Sequence, residues 1–218
     1  MSASTGVAVV TGGASGIGEA CAVALAAEGR RVVVVDIDID RAKAVAARIG
    51  GVARQVDVGD EAAVEAAARA IEAGDGPVAV LVNSAGIIQR PVRPHEMPLA
   101  TWDLVQRVDL RGTYVCCLAF ARAMIARRAG CIVNISSVVG SRSAPLHSYA
   151  PAKAAVISMT QCLAAEWGPS GVRVNSVAPG YTMTPALRDA IDRGERRLES
   201  LTGSVALQRT VEPAQVAA

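Results

Sequence analysis

The chain has 218 residues, a net charge of +2 and an apolar fraction of 51%. That length can bury one large core without splitting. No apolar run approaches the roughly eighteen residues that span a membrane, and no basic cluster points to nucleic acid. Met1 to Thr5 carry neither the basic region nor the apolar core of a signal peptide. Five cysteines (Cys21, Cys116, Cys117, Cys131, Cys162) are odd in number and lack metal-ligand spacing. They read as free thiols in a reducing, cytoplasmic setting, with no metal site.

Strand and helix alternate along the chain, the pattern of a parallel sheet covered on both faces. Strands are predicted near 7–11, 31–36, 52–56, 78–83, 130–136 and 171–177. Helices are predicted near 17–29, 39–49, 60–74, 99–128, 149–168 and 184–201. The expectation is one doubly wound α/β domain over residues 1–218, without repeat or linker. Its strand order should reverse between the first and fourth strands, putting a ligand crevice at their carboxyl ends.

The first strand, Val7-Ala8-Val9-Val10, runs into Thr11-Gly12-Gly13-Ala14-Ser15-Gly16-Ile17-Gly18, and an alanine-rich helix follows. Strand, glycine turn and helix N-terminus suit a dinucleotide pyrophosphate: close backbone approach, open N–H groups and a positive dipole end. Gly12, Ser15, Gly16, Ile17 and Gly18 are the candidate contacts. The second strand ends in Asp36, eighteen residues beyond Gly18, where a carboxylate suits the ribose hydroxyls of NAD and repels the 2′-phosphate of NADP. Arg30 and Arg31 should lie at that strand's far end. Gln89 to Pro98 holds Pro91, Pro94 and Pro98 and is the most irregular internal piece.

Farther along, Ser137 ends the fifth strand, and its hydroxyl can donate to a substrate oxygen as charge develops there. Tyr149 and Lys153 are four apart on a predicted helix, which brings both to one face. An ammonium beside a phenol lowers its pKa from about 10, so Tyr149 can exchange a proton near neutrality. Arg193, Arg196 and Arg197 share a helix with four acids and read as a solvated face. His95 and His147 read as loop or surface residues. Arg90, Arg93 and Arg142 read as solvent-facing.

Thr11-Gly-Gly-Ala-Ser-Gly-Ile-Gly18, Asp57-Val58, Asn83-Ser-Ala-Gly86, Asn134-Ile-Ser-Ser137, Tyr149-Ala-Pro-Ala-Lys153 and Pro179-Gly180 stand in a telling order. From residue 5 to about 217 the chain thereby resembles the short-chain dehydrogenases/reductases. The resemblance implies a Rossmann-type sheet, an NAD-dependent activity on a secondary alcohol or ketone, and a homo-oligomer (dimer or tetramer) where the C-terminal segment is present. Tyr149 is implied as acid/base, Lys153 as its tuner and ribose contact, and Ser137 rather than Ser136 as the substrate-orienting serine. Asp57 and the Val58 backbone are assigned to the adenine, although a turn or helix-cap Asp is an equal reading. Asn83, Ala85 and Gly86 are further cofactor contacts; Ser84 replaces the usual second Asn. Pro179, Gly180 and Thr184, with Thr182 as alternative hydroxyl, resemble the segment that holds the carboxamide.

Two departures stand out. Asp109, in Val108-Asp109-Leu110-Arg111-Gly112, replaces the Asn that the family uses to organise a water behind the lysine. Asp109 brings a charge and loses two donors; it accepts from the water, pairs with Arg111, or is merely structural. Relatives also continue past a segment like Val211 to Val216, so the expected sheet lacks the family's seventh strand and leaves an unpaired apolar edge. Leu146, His147, Tyr181 and Met183, with the helix from Thr184, should wall the substrate pocket. The alternatives are an NAD(H)-binding protein without turnover and an NADP-dependent ketone (3-oxoacyl-type) reductase.

Overall fold

Six short strands, most of them rich in valine, form one parallel sheet in this computed structural model. The structure describes residues 6–203 and 205–218; the expectation about Met1 to Thr5 lies outside them. The strands are β1 (Val7–Thr11), β2 (Val32–Asp36), β3 (Val52–Gln55), β4 (Val78–Asn83), β5 (Gly130–Ile135) and β6 (Val172–Val177). Their order is β3-β2-β1-β4-β5-β6, so the chain reverses direction of travel between β1 and β4. Parallel strands buried on both faces carry continuous apolar runs, which is why β1 is buried at all five positions. Register places Thr11 opposite Asn83 and Asn83 opposite Asn134. The carboxyl ends of β1, β4 and β5 are thus level, and the crevice opens above them.

Helices α1 (Gly16–Ala27) and α2 (Ile39–Ile49) cover one face, closing on Val10, Val32 and Val34. The other face is covered by α3 (Glu61–Gly74), α5 (Thr113–Arg127) and α6 (Tyr149–Trp167), which bury Ile71, Phe120, Met124 and Trp167. Asp38 and Asp60 cap α2 and α3 by accepting from the N–H groups of Arg41 and Ala63, each at 3.1 Å.

The helix predicted over 99–128 is not uniform. It begins as α4 (Leu99–Val105), widens to a π-turn over Gln106–Gly112, and resumes as α5. The helix predicted over 184–201 is broken into α7 (Pro185–Asp192) and α8 (Leu198–Thr202), because Gly194 takes a left-handed φ of 71° between them. Past α8, Val211 bridges Thr182, and a short α9 (Pro213–Ala217) packs on α1. The expected apolar exposure falls on a face as well as an edge. A groove of about 760 Å³ runs over Val80, Val133, Ile135 and Val177, while β6, the edge strand, also exposes Arg173 and Asn175. Among the described residues no helix is long and apolar enough to cross a membrane.

Gly18 fixes how closely α1 approaches the turn, since a Cβ there would lie 2.1 Å from the Gly12 carbonyl oxygen. Gly18→Ala should therefore destabilise the protein by about 1–3 kcal/mol through overpacking, lowering Tm by about 2–4 °C per kcal/mol. Gly74→Ala, at a helix end where a Cβ meets nothing within 4 Å, should hold or raise Tm. Equal melting temperatures in a thermal scan of the two variants would contradict this packing account.

Candidate active site

Two turns of the chain meet above β1 and β4. Gly12 and Gly16 have φ of 64° and 57°, which lets the chain reverse tightly before α1. A Cβ on Gly12 would sit 2.6 Å from the backbone of Ala85, and one on Gly16 would reach Thr184 at 3.2 Å. Thr11 Oγ1 accepts from the N–H groups of Ser84 and Ala85, at 3.2 and 3.3 Å, which locks the two turns together. Ser15, at the N-cap of α1, makes no side-chain cap bond. The first-turn N–H groups of a helix have no partners within it, so this cap leaves them for an anion at the mouth.

Asp36 reaches into the same place from β2. Its Oδ2 accepts from Ala14 N–H at 3.1 Å and its Oδ1 from Asp38 N–H at 3.0 Å. Each carboxylate oxygen keeps a further lone pair for a hydroxyl. Arg31 is at the far end of β2, bound to Asp75 at 2.7 Å, and Arg30 stands 3.7 Å from Glu28. The glycine turn, Asp36, Ala85, Gly86, Tyr149 and Lys153 share one cleft of about 480 Å³, which Val58 and Thr184 also border. Bare glycine backbone, an open helix end and a carboxylate fit an extended dinucleotide.

Asp57 lies on this cleft but is engaged locally. Its Oδ1 accepts from Gly59 N–H at 2.8 Å and its Oδ2 lies 3.1 Å from Arg107. The turn-forming role weighed in the sequence is therefore present, whatever else it contacts. The Asn83 side chain points into the protein, donating to Asn134 Oδ1 at 2.9 Å and Cys117 Sγ at 3.3 Å. It ties β4 to β5 and does not reach the cleft. Thr182 donates to the Gly180 carbonyl at 3.1 Å, and Thr184 caps α7 through Leu187 N–H at 3.3 Å. The Pro179 carbonyl accepts from Val138 N–H at 3.1 Å, which seats this segment beside Ser137.

Tyr149 is the first residue of α6, and one helical turn on the Lys153 ammonium lies 5.4 Å from the Tyr149 ring centroid. Lys153 is buried. Its Nζ donates to the Ile135 carbonyl at 3.1 Å and lies 3.1 Å from Asp109 Oδ2. Asp109 is wholly inaccessible, and its Oδ1 accepts from Ile87 N–H at 2.9 Å. The π-turn holds it there: Thr113 Oγ1 donates to the Asp109 carbonyl at 2.8 Å, and Gly112 lets the helix press on Val58. Gly86 makes room, since a Cβ would approach Asp109 Oδ2 to 2.9 Å. The pairing of Asp109 with Arg111 is overturned, because Arg111 reaches Glu61 instead.

Of the two serines, Ser136 is buried and donates to the Val177 carbonyl at 2.9 Å, whereas Ser137 Oγ accepts from Val139 N–H at 3.4 Å and lies near enough to the Tyr149 phenol to act on its proton. The expected depression of that phenol is not found. Burial pushes its pKa above the ordinary tyrosine value; Lys153 opposes this, Asp109 reinforces it, and the Ser137 hydroxyl opposes it. Asp109 is likewise raised by burial, against the pull of Lys153 and of Ile87 N–H.

Sequence reasoning missed two glutamines. Gln89 is buried at the start of α6, and Gln106 Nε2 donates to the Ser148 carbonyl at 2.8 Å. A glutamine in a proline-rich loop carries no periodic signal that would have marked it. His147 proves to be the partner of Gln89, at 3.3 Å. Arg142 lies over the Tyr181 ring at 5.7 Å, and Arg90 and Arg93 face Glu195 and Glu96. Among the described residues no cluster of His, Cys, Asp and Glu could hold a metal ion.

Comparison with known proteins matches residues 6–194 to the family described as short chain dehydrogenase. The D-threitol dehydrogenase of Mycolicibacterium smegmatis is 40% identical over 82% of this chain and 70% of its own. The galactitol 2-dehydrogenase of Rhizobium johnstonii is 38% identical over 96% and 84%. Among solved structures, one named ribose-5-phosphate isomerase from Brucella melitensis 16M is 50% identical, with TM-score 0.95 over 97% of this chain and 82% of that one. The structure of ElxO with NADP bound is 29% identical, with TM-score 0.91 over 97% and 88%.

Asp109 raises the phenol, so Asp109→Asn should lower the pH at which Tyr149 ionises, leaving the field of Lys153 unopposed. Ultraviolet titration of the tyrosinate band, with Tyr149→Phe subtracted to isolate this phenol from Tyr114 and Tyr181, measures the shift. An unmoved or higher titration in Asp109→Asn would refute the coupling.

Proposed function

The chain belongs to the short-chain dehydrogenase family and is an enzyme of the short-chain alcohol dehydrogenase type, and from that premise we propose that it transfers a hydride between NAD and a secondary alcohol of a polyol, or the corresponding ketone. The observation that carries this is the convergence of Asp36, the glycine turn and the Tyr149–Lys153 pair on one cleft. The polyol class is taken from the threitol and galactitol dehydrogenases to which the chain is similar.

In this proposal Gly12, Ser15, Gly16, Ile17 and Gly18 hold the pyrophosphate, and Asp36 takes the adenine ribose. Asp57, Val58 and the Asn83–Gly86 turn border the adenine and nicotinamide halves, while Pro179, Gly180 and Thr184, with Thr182, meet the carboxamide. When bound, the nicotinamide supplies the carbon that accepts or returns the hydride. Ser137 orients the substrate oxygen. In oxidation the Tyr149 phenolate removes the hydroxyl proton, and in reduction the phenol gives it back. Lys153 favours the phenolate and holds the nicotinamide ribose, and Asp109 holds Lys153. A reducing, cytoplasmic setting and a homo-oligomer, dimer or tetramer, complete the proposal.

Tyr149→Phe keeps the ring and removes the exchangeable proton. It should cut turnover of a polyol panel with NAD by about 10²–10⁴-fold while NADH binding, followed by fluorescence, stays near wild type. Near-normal turnover in the folded variant, or NADH binding without any turnover in the wild type, would defeat the proposal.

Asp36 governs the choice of nucleotide. Asp36→Ala should narrow the gap in kcat/KM between NAD and NADP, because it removes the repulsive element. Equal efficiency with both nucleotides in the wild type would count against NAD preference and for an NADP-dependent reductase.

A further inference from the structure

Gln89 belongs to the irregular segment that leaves β4, yet only 2% of it is exposed. Its Oε1 accepts from Ser148 N–H at 2.7 Å, Ser148 Oγ at 2.8 Å and Tyr149 N–H at 3.4 Å. Two of those partners are backbone N–H groups, which only donate, so the oxygen must face them and the amide nitrogen must face His147. At 3.3 Å, His147 Nε2 is then the acceptor, and the proton of its neutral ring sits on Nδ1.

Ser148, the N-cap of α6, makes no side-chain cap bond into its own helix. Gln89 supplies from some sixty positions away what a local cap would supply, and Gln106 grips the Ser148 carbonyl from the π-turn. This matters because Tyr149 is the first residue of the helix, and helix ends fray. Two residues before Gln89, the Ile87 N–H holds Asp109. One three-residue stretch after β4, Ile87 to Gln89, thus touches both the ion pair behind the phenol and the backbone that carries it.

We propose that Gln89 is the positioning residue for Tyr149, clamping the first turn of α6 so that the phenol ring keeps its place beside Lys153. The proposal rests on Tyr149 as the proton-exchanging group. Gln89→Met keeps the length and removes every hydrogen bond, whereas Gln89→Glu keeps the acceptor for Ser148 and Tyr149 and exchanges the donor to His147 for a carboxylate oxygen, which the ring meets by taking a proton or by moving its own to Nε2.

The test uses the whole chain with two readouts. The first is the ring resonance of ¹³C-labelled tyrosine, Tyr149 being assigned by its absence in Tyr149→Phe. The second is kcat for polyol oxidation with NAD, alongside the NADH dissociation constant. In Gln89→Met the Tyr149 resonance should move or broaden while that of Tyr114 stays. Turnover should fall on the order of ten- to a hundredfold, the scale of a misplaced reacting group, with NADH affinity retained. Gln89→Glu should restore the resonance and most of the turnover. A folded Gln89→Met with unchanged resonance and kcat would overturn the clamp. If Gln89→Met fails to fold, a Gln89→Glu protein whose Tyr149 resonance departs from wild type would overturn it as well. A Tyr149 resonance that responds as stated in an enzyme where Tyr149→Phe is fully active keeps the clamp and removes the proton role of Tyr149.

Discussion

A lysine and an aspartate, both buried and 3.1 Å apart, sit where the chain's two glycine-bearing turns meet the start of α6. Leaving either charge there unmatched is costly, since removing one partner of a buried pair costs about 3–5 kcal/mol. The surroundings follow from that constraint. Asp109 Oδ1 takes an N–H from Ile87, and Lys153 finds a carbonyl at Ile135, the last residue of β5. Asp109 reaches the lysine because a π-turn reorients its helix, and Gly86 leaves no side chain in the way. π-Turns of this kind are frequent at functional sites, where they re-aim a side chain at small cost in regular hydrogen bonding.

The pair also sets the electrostatics of Tyr149. A lone ammonium beside a phenol would favour the phenolate; an ammonium already matched by a carboxylate exerts a smaller net field. Burial then dominates, and the phenol lies above its ordinary range. An amide at this position would leave the lysine uncompensated. Asp109 thus trades charge for charge: it secures the buried ammonium and weakens its effect on the phenol.

Much of this architecture was legible in the residues because it is local. Valine-rich runs flanked by alanine-rich helices announce a parallel sheet, and β1 through β6 lie within a residue or so of their expected places. Tyr149 and Lys153 share a face because a helix repeats every 3.6 residues, and the glycines of the turn need backbone angles other residues avoid. What was hidden depends on partners far away in sequence. The π-turn has no composition of its own. Gln89 looks like a loop glutamine until Ser148, 59 positions on, folds against it. The inward turn of the Asn83 side chain shows only once Asn134 and Cys117 stand beside it. The direction of the Tyr149 shift turned on burial, which no pairwise spacing reveals.

At the adenine end the same distinction between engaged and open charge bears on the proposed cofactor. Two carboxylates border that part of the cleft, Asp36 and Asp57. Asp57 is matched by Arg107 at 3.1 Å, so its charge is largely balanced. Among the described residues, the hydrogen bonds to Asp36 come from neutral backbone N–H groups, those of Ala14 and Asp38. Those bonds orient the carboxylate without cancelling its charge. Ile37, which follows it, and Ser15, across the glycine turn, bring no cation to the cleft. A phosphate offered there would meet an oriented, uncompensated anion, whereas a pair of hydroxyls would meet acceptors with lone pairs to spare. In the proposed preference for NAD, how Asp36 is held counts as much as its being an aspartate.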